Sequence, residues 1–318
     1  MRAFTCLALL AVSQLAMAQP GAGAEVFTAS EQRTILSHGP WPPAPRRDPG
    51  NRVSGKSEAI ELGERLFYEP RLSGTGSVLC ATCHVPYRGW QDGRATSFGL
   101  EPGDRNTPTL LNVAFQRRFG WDGARDSLWS QSIRPLLDTR EMRSSAKEIG
   151  AFIRNDFLSG YERAFGRPPP DDDGELLADV GRALAAFQET LVSGRTPFDD
   201  FRDALENQKA NAYPENAKRG LRIFVGKGGC SACHSGPLFT SGERVEFRVP
   251  GLRNVALTAP YLHDGRLSAL SDAARHALKK DFLTEAELGD LVIFLQTLSE
   301  IRTFGLPDCP THCPDYRR

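Results

Sequence analysis

The sequence predicts a mainly α-helical chain of two tandem units, each built around one short cysteine–histidine motif. Three observations carry this prediction. Cys80-Ala81-Thr82-Cys83-His84 and Cys230-Ser231-Ala232-Cys233-His234 are two copies of C-x-x-C-H. A similar pattern leads into each: Gly63-Glu64-Arg65-Leu66-Phe67 matches Gly220-Leu221-Arg222-Ile223-Phe224, and glycines then precede the cysteines. Elsewhere, residues 145–161, 174–191 and 284–298 carry the 3.6-residue apolar period of helices.

Taken in order, residues 1–18 read as a secretory leader. Arg2 supplies the charged start, an apolar run follows, and Ala16-Met17-Ala18 is an A-x-A cleavage site. The run is too short for a membrane span, and no later segment is apolar enough to be one. Export to the periplasm is expected, with Cys6 lost alongside the leader. Residues 19–54 are rich in Pro, Gly and Ala and read as an extended or loosely ordered arm. Residues 55–210 form the first unit, opened by a helix over 57–68 with Ser57 as its N-cap and Pro70 as its stop. Residues 168–173 read as a loop. Residues 211–302 form the second unit, opened by a shorter helix over 217–225, and 303–318 are a Cys/Pro-rich tail. In that tail Cys309 and Cys313 suit a disulfide in an oxidising compartment, or a surface metal site with His312. The chain has 318 residues with 39 basic and 39 acidic side chains, which gives no nucleic-acid footprint.

The motifs carry the chemistry. Two thiols three positions apart can each add to one vinyl group of the same porphyrin. The following histidine then lies under the iron as an axial ligand. Cys80, Cys83 and His84 are therefore expected to hold one covalent haem c, and Cys230, Cys233 and His234 a second. Paired disulfides or a four-cysteine zinc site are the competing readings. Neither uses the histidines.

With these motifs placed, the chain resembles the bacterial dihaem cytochrome c peroxidase and MauG superfamily from about residue 57 to 298. It stands nearer to the MauG-like enzymes, the methanobactin-associated ones among them, than to the peroxidase branch. Further markers are Arg71-Leu72-Ser73-Gly74, Asn106-Thr107-Pro108-Thr109-Leu110, Gly120-Trp121-Asp122-Gly123, Ser193-Gly194-Arg195-Thr196-Pro197-Phe198 and Leu252-Arg253-Asn254-Val255. The last runs on to Ala259-Pro260-Tyr261-Leu262-His263-Asp264-Gly265. The resemblance implies two cytochrome-c-like haem domains, a bridging calcium ion, and hydrogen peroxide as oxidant.

It also assigns roles. Glu141 falls at the position of the general acid/base over the first haem, and Gln131 at that of a group orienting peroxide. Taken alone, both are ordinary solvated helix or cap residues. Trp121 matches the tryptophan between the haems and is otherwise core packing. Asn106, Thr258 and Pro260 match the calcium ligands, and are otherwise turn residues. The peroxidase branch has a switch histidine after the first motif, but no histidine lies between His84 and His234 here. The peroxidases ligate the second haem with methionine. The three methionines here are Met1, Met17 and Met142, none of them in the second unit. The position where MauG uses tyrosine is Ala277, so its neighbour His276 is the expected sixth ligand, with His263 as rival. The surface tryptophan that MauG carries before its second motif is Gly228 here, leaving Trp41, Trp90 and Trp129 as other indoles. These departures point to an oxidase whose two irons share the oxidising equivalents of activated peroxide in a high-valent dihaem state. Its expected substrate is an aromatic side chain, tryptophan above all, on a partner protein. The alternative is a peroxidase fed electrons by a small cytochrome or cupredoxin, and a bare dihaem electron carrier is the non-enzyme reading.

Overall fold

The computed structural model describes residues 27–44, 48–243, 247–278 and 282–300. The leader and the tail, with Cys6, Cys309, His312 and Cys313, therefore lie outside the described residues. Within them the chain is helical, and isolated bridges such as Phe119–Arg125 and Tyr261–Leu267 take the place of strands.

The arm opens with α1 (Ala29–Leu36), which corrects the expectation of an extended or loosely ordered segment. Thr28 Oγ1 accepts from Glu31 N–H and the Glu31 carboxylate accepts from Thr28 N–H, a reciprocal cap that satisfies two orphan donors. The arm also has apolar side chains with somewhere to go. Phe27 meets Phe201 at 6.0 Å between ring centres, Ile35 is fully buried, and Trp41 Nε1 donates to Ser193 O at 3.1 Å.

The first unit contains α2 (Ser57–Phe67), α3 (Cys80–Cys83), α4 (Leu128–Ser132), α5 (Arg134–Leu137), α6 (Ala146–Asp156), α7 (Leu158–Phe165) and α8 (Asp173–Gln188). Lys56, not Ser57, occupies the N-cap of α2, and no side chain caps it. The single helix expected over 145–161 is two, α6 and α7. Phe157 leaves helical geometry (φ −123°, ψ 13°), and its buried ring packs on Phe152 at 5.1 Å and under the Arg65 guanidinium at 4.8 Å. The second unit contains α9 (Pro197–Glu206), α10 (Glu215–Val225), α11 (Leu270–Ala277) and α12 (Glu285–Gln296).

Each unit is built on one crossing. α2 packs on α8, and α10 packs on α12. At the first crossing a Cβ on Gly63 would collide with the Ala183 carbonyl and crowd Phe187. At the second, a Cβ on Gly220 would collide with the Asp290 carbonyl and crowd Phe294. Glycine at these two points lets the backbones approach closely. The paired glycines of the sequence repeat are thus the paired contact points of the fold.

Two hydrophobic cores result. One joins Leu62, Leu66, Phe67, Tyr161, Leu184 and Phe187, among others. The other joins Phe198, Phe201, Leu221, Phe224, Phe239 and Phe294 with Phe27 and Ile35 of the arm. α9 therefore belongs to the second core, so the division between cores falls between α8 and α9 rather than near 210. The start of the arm, with Phe27 and Ile35, likewise belongs to the second core, whereas Val53 at its end joins the first.

Candidate dihaem active site

Each C-x-x-C-H motif follows the first helix of its crossing, so the crossing delivers its cysteines and histidine to the wall of a cavity. Cys80, Cys83 and His84 line one of about 320 Å³. Cys230 and His234 line another of about 510 Å³. Both lie within the ordinary range of cofactor pockets. The four cysteines are unbridged; Cys80 and Cys83 open on one cavity and Cys230 on the other, while Cys233 is exposed beside it, so they do not converge on one centre. Burial pushes the thiols up, Cys80 to about 12 and Cys83 and Cys230 to about 11, so all three are protonated near neutrality.

The imidazoles are set the same way in both cavities. His84 Nδ1 lies 3.2 Å from Trp90 O, and His234 Nδ1 lies 3.0 Å from Phe239 O. A carbonyl can only accept, so each Nδ1 carries the proton and each neutral ring keeps its lone pair on Nε2; the Pro108 and Pro250 carbonyls are second backbone acceptors beside His84 and His234. This is the arrangement of a metal-binding histidine held by an outer hydrogen bond. Burial lowers both pKa values and keeps the rings neutral. Trp90 (φ 61°) and Phe239 (φ 54°) both adopt the left-handed backbone that turns their carbonyls back to the histidine. The residues present therefore fit a haem in each cavity.

Glu141, Gln131, Arg134 and Pro135 line the first cavity. Burial, reinforced by Asp138, raises the Glu141 pKa; Arg134 and Arg140 oppose it. A carboxyl raised in this way is suited to taking and giving protons nearer neutral pH. Met142 is buried and lines this same cavity, so the one described methionine lies away from His234.

Trp121 lines both cavities. Its indole N–H donates to Asn106 O at 2.7 Å, its own carbonyl accepts from Arg248 N–H at 2.9 Å, and Arg248 Nε donates to Gly120 O at 3.3 Å. Asn106 N–H in turn donates to His263 O at 2.8 Å. A continuous hydrogen-bonded path thus joins the indole to the second unit. The other three indoles are placed differently. Arg253 lies 3.7 Å over Trp41, Arg182 lies 5.0 Å over Trp129, and Trp90 sits against Phe67 and Phe187 behind His84.

Asn106, Thr258 and Pro260 all line the larger cavity. Asn106 Nδ2 donates to Arg94 O at 2.8 Å, which turns its Oδ1 to the opposite side of the amide. His276 and Ala277 line this cavity too, and His276 Nε2 lies 3.4 Å from an Arg266 guanidinium nitrogen. His263 also lines it, with its ring stacked on Phe247 at 4.0 Å.

Two buried titratable groups near the cavities escaped the sequence reading. Arg248 lines both cavities and is desolvated, which lowers its pKa. His38 is fully buried in the second core, and burial pushes its pKa down to about 4. No local motif marks either residue; only the tertiary fold brings them to the site.

The family model for di-haem cytochrome c peroxidases matches residues 57–208. The chain is 38% identical to the methylamine utilization protein MauG of Methylorubrum extorquens over 294 residues, spanning 80% of this chain and 82% of that protein. It is 31% identical to the cytochrome c551 peroxidase of Nitrosomonas europaea, over 80% of this chain and 84% of the relative. Among solved structures, a MauG-like protein associated with microbial copper homeostasis matches with a TM-score of 0.69 and 26% identity, covering 81% of this chain and 93% of that one. The dihaem peroxidase BthA of Burkholderia thailandensis shares the fold, with a TM-score of 0.65 at 22% identity, covering 84% of this chain and 90% of BthA. The chain belongs to the dihaem cytochrome c peroxidase and MauG family and is a haem-dependent oxidoreductase.

Proposed function

We propose that this protein is an exported, periplasmic MauG-like oxidase, which uses hydrogen peroxide to oxidise an aromatic side chain, tryptophan above all, on a partner protein. The observation that carries this reading is the second cavity. Histidines and an alanine, but no methionine, occupy the wall where a peroxidase needs a thioether to accept electrons from a high-potential donor. Haem c held by Cys80, Cys83 and His84 would supply the peroxide-reactive iron. The second haem, held by Cys230, Cys233 and His234, would supply a place to share the oxidising charge.

The chain's own groups then have defined work. Glu141 moves the proton between the two peroxide oxygens, and Gln131 orients the peroxide by hydrogen bonding. Trp121 relays charge, because its indole borders both cavities and its N–H is fixed. Asn106 Oδ1 and the Thr258 and Pro260 carbonyls hold a calcium ion, an all-oxygen set that suits a hard cation. His276 would be the second histidine to hold the haem of the second cavity. Its Nε2 must first leave Arg266, and a helix turn of 100° separates it from the position of Ala277.

The runner-up is a peroxidase that takes electrons from a small cytochrome or cupredoxin, and the similarity to the Nitrosomonas enzyme favours it. One experiment separates the two. Stoichiometric peroxide added to the diferric protein should give a long-lived near-infrared charge-resonance band, with slow oxidation of reduced cytochrome c. Rapid, multiple-turnover oxidation of reduced cytochrome c after partial reduction would establish the runner-up instead. For the ligand, His276→Ala should convert the second haem to high spin, and an unchanged low-spin signal would remove His276 from the site.

A further inference from the structure

We propose that His38, from the N-terminal arm, is a positioning residue for the second haem: it clamps the loop whose Phe239 carbonyl holds the axial histidine His234. The proposal rests on the reading of His234 as an iron ligand.

The loop runs from His234 to Phe239, and its carbonyls are gripped in turn. Thr240 N–H donates to Ser235 O at 2.8 Å and Leu252 N–H to Leu238 O at 3.3 Å. Arg253 Nε donates to Pro237 O at 2.5 Å, and the rest of that guanidinium pairs with buried Asp199 at 2.7 and 3.0 Å. Gly236 O accepts twice: from Phe239 N–H at 3.0 Å and from His38, whose Nδ1 lies 3.0 Å away. The carbonyl only accepts, so this neutral ring is the Nδ1–H tautomer. The same ring lies flat on Phe239, with centres 4.3 Å apart and planes 7° from parallel. Phe239 then accepts the His234 Nδ1 proton at 3.0 Å.

His38 thus touches the loop twice, at Gly236 by hydrogen bond and at Phe239 by stacking, from 198 residues away in sequence. Both contacts need a flat ring that carries an N–H. Its Nε2 is buried without a hydrogen-bond partner, a desolvation cost that packing alone would avoid with an apolar side chain. The first unit shows the contrast. Trp90 O takes the His84 proton there, and its ring meets Phe67 and Phe187 as Phe239 meets their counterparts Phe224 and Phe294; the flat stacking of an imidazole is what Phe239 adds. The hydrogen bond to the outer nitrogen of an axial histidine sets its basicity and ring orientation, and through them the reduction potential of the iron.

The test uses the dihaem holoprotein. His38→Phe keeps a stacked ring and removes the donor, while His38→Gln keeps a donor and removes the ring. In His38→Phe the midpoint of the second haem should rise, on the scale of about 59 mV for a tenfold change in its one-electron equilibrium. The midpoint of the first haem should stay fixed, and the low-spin electron paramagnetic resonance signal should shift. His38→Gln should recover part of both changes. Melting temperature serves as control, because a purely structural role lowers it without separating the two midpoints. Unchanged second-haem midpoint and signal in both variants would overturn the proposal. The ligand reading fails separately: His234→Gly should abolish the low-spin signal, and its survival would remove His234 from the iron whatever His38 does.

Discussion

Trp121 and His263 stand 142 residues apart in sequence, at the same point of two repeated units. Asn112 and Asn254 are separated by the same interval, and so are Pro108 and Pro250. The two asparagines share a left-handed backbone (φ 66° and 61°), and their Oδ1 atoms accept from Ser193 N–H at 2.9 Å and Glu300 N–H at 3.0 Å. The proximal frames are therefore duplicates, with a close helix crossing, an aromatic pair and a carbonyl that orients the histidine. The other side of each cavity is not duplicated. Beyond Pro135 the first unit continues into Glu141 and a loop whose Arg140, Glu141 and Met142 carbonyls accept from the N–H groups of Glu101, Leu100 and Gly74. At the matching point the second unit has His276 and Ala277, and α11 ends there. On the proposed reading the duplicated side would hold the cofactor, and the side that diverged would decide what each unit does with it.

The largest test of that division is Glu141→Gln. General acid–base assistance contributes about 10²–10⁴-fold, so peroxide consumption by the diferric protein should fall by that order. Haem loading and the second-haem spectrum should not change. The raised pKa of Glu141 also places the acid limb of the peroxide rate profile above the ordinary glutamate value of about 4.3. Stopped-flow rates should rise through that limb as the carboxylate forms, and the variant should lose it. A variant reacting at the parent rate would mean that the two units do not differ in the way their cavities suggest.

Much of the duplicated side was legible from sequence, because it is carried by short motifs and by glycines at fixed spacing. The helices themselves follow from 3.6-residue periodicity, and the Gly63/Gly220 repeat is visible in the sequence, but that these glycines are where α2 meets α8 and α10 meets α12 is visible only in the fold. What escaped depends on long-range packing. The Thr28/Glu31 capping signal of α1 lies in sequence that otherwise looks like linker. α9 opens with a Thr196-Pro197 start whose partner core lies far along the chain. The break at Phe157 is a tertiary override, since an aromatic ring buried against Phe152 outweighs continuation of the helix. His38 and Arg248 belong to no motif, so only the folded chain reveals what they touch.

The buried His38 should make the two units differ in acid. Its pKa is about 4 when folded and about 6.5 when unfolded, so unfolding binds a proton between those values. The second unit should therefore lose stability as pH falls from about 6.5 towards 4, with no further loss from this group below that. The amount is on the order of 3 kcal/mol, taken from the size of the shift. His38→Phe should remove this dependence. Urea titrations across that range, read at the second-haem Soret band, give the slope; equal slopes in parent and variant would show that His38 does not carry it.

The helix crossings offer a smaller and symmetrical perturbation. Gly63→Ala and Gly220→Ala each force a methyl group against a backbone carbonyl, an overpacking that costs about 1–3 kcal/mol. Each should destabilise its own unit and disturb its own haem, seen as separate steps in thermal melts followed at the two haem signals. Simultaneous loss of both signals in either variant would show that the two cores unfold as one.

The smallest effect tests whether α1 serves the second unit alone. Thr28→Ala removes the side-chain cap of α1, and loss of an N-cap costs typically about 1 kcal/mol. α1 packs on α9 and α10 and contributes Ile35 to the second core, while the first core takes nothing from it. The loss should appear only in the second-unit melting step. It should also move the second-haem midpoint in the direction of His38→Phe, by less, because α1 leads directly into the segment that carries His38. A stability loss confined to the first unit would reverse the assignment of α1 and detach it from the axial-ligand loop.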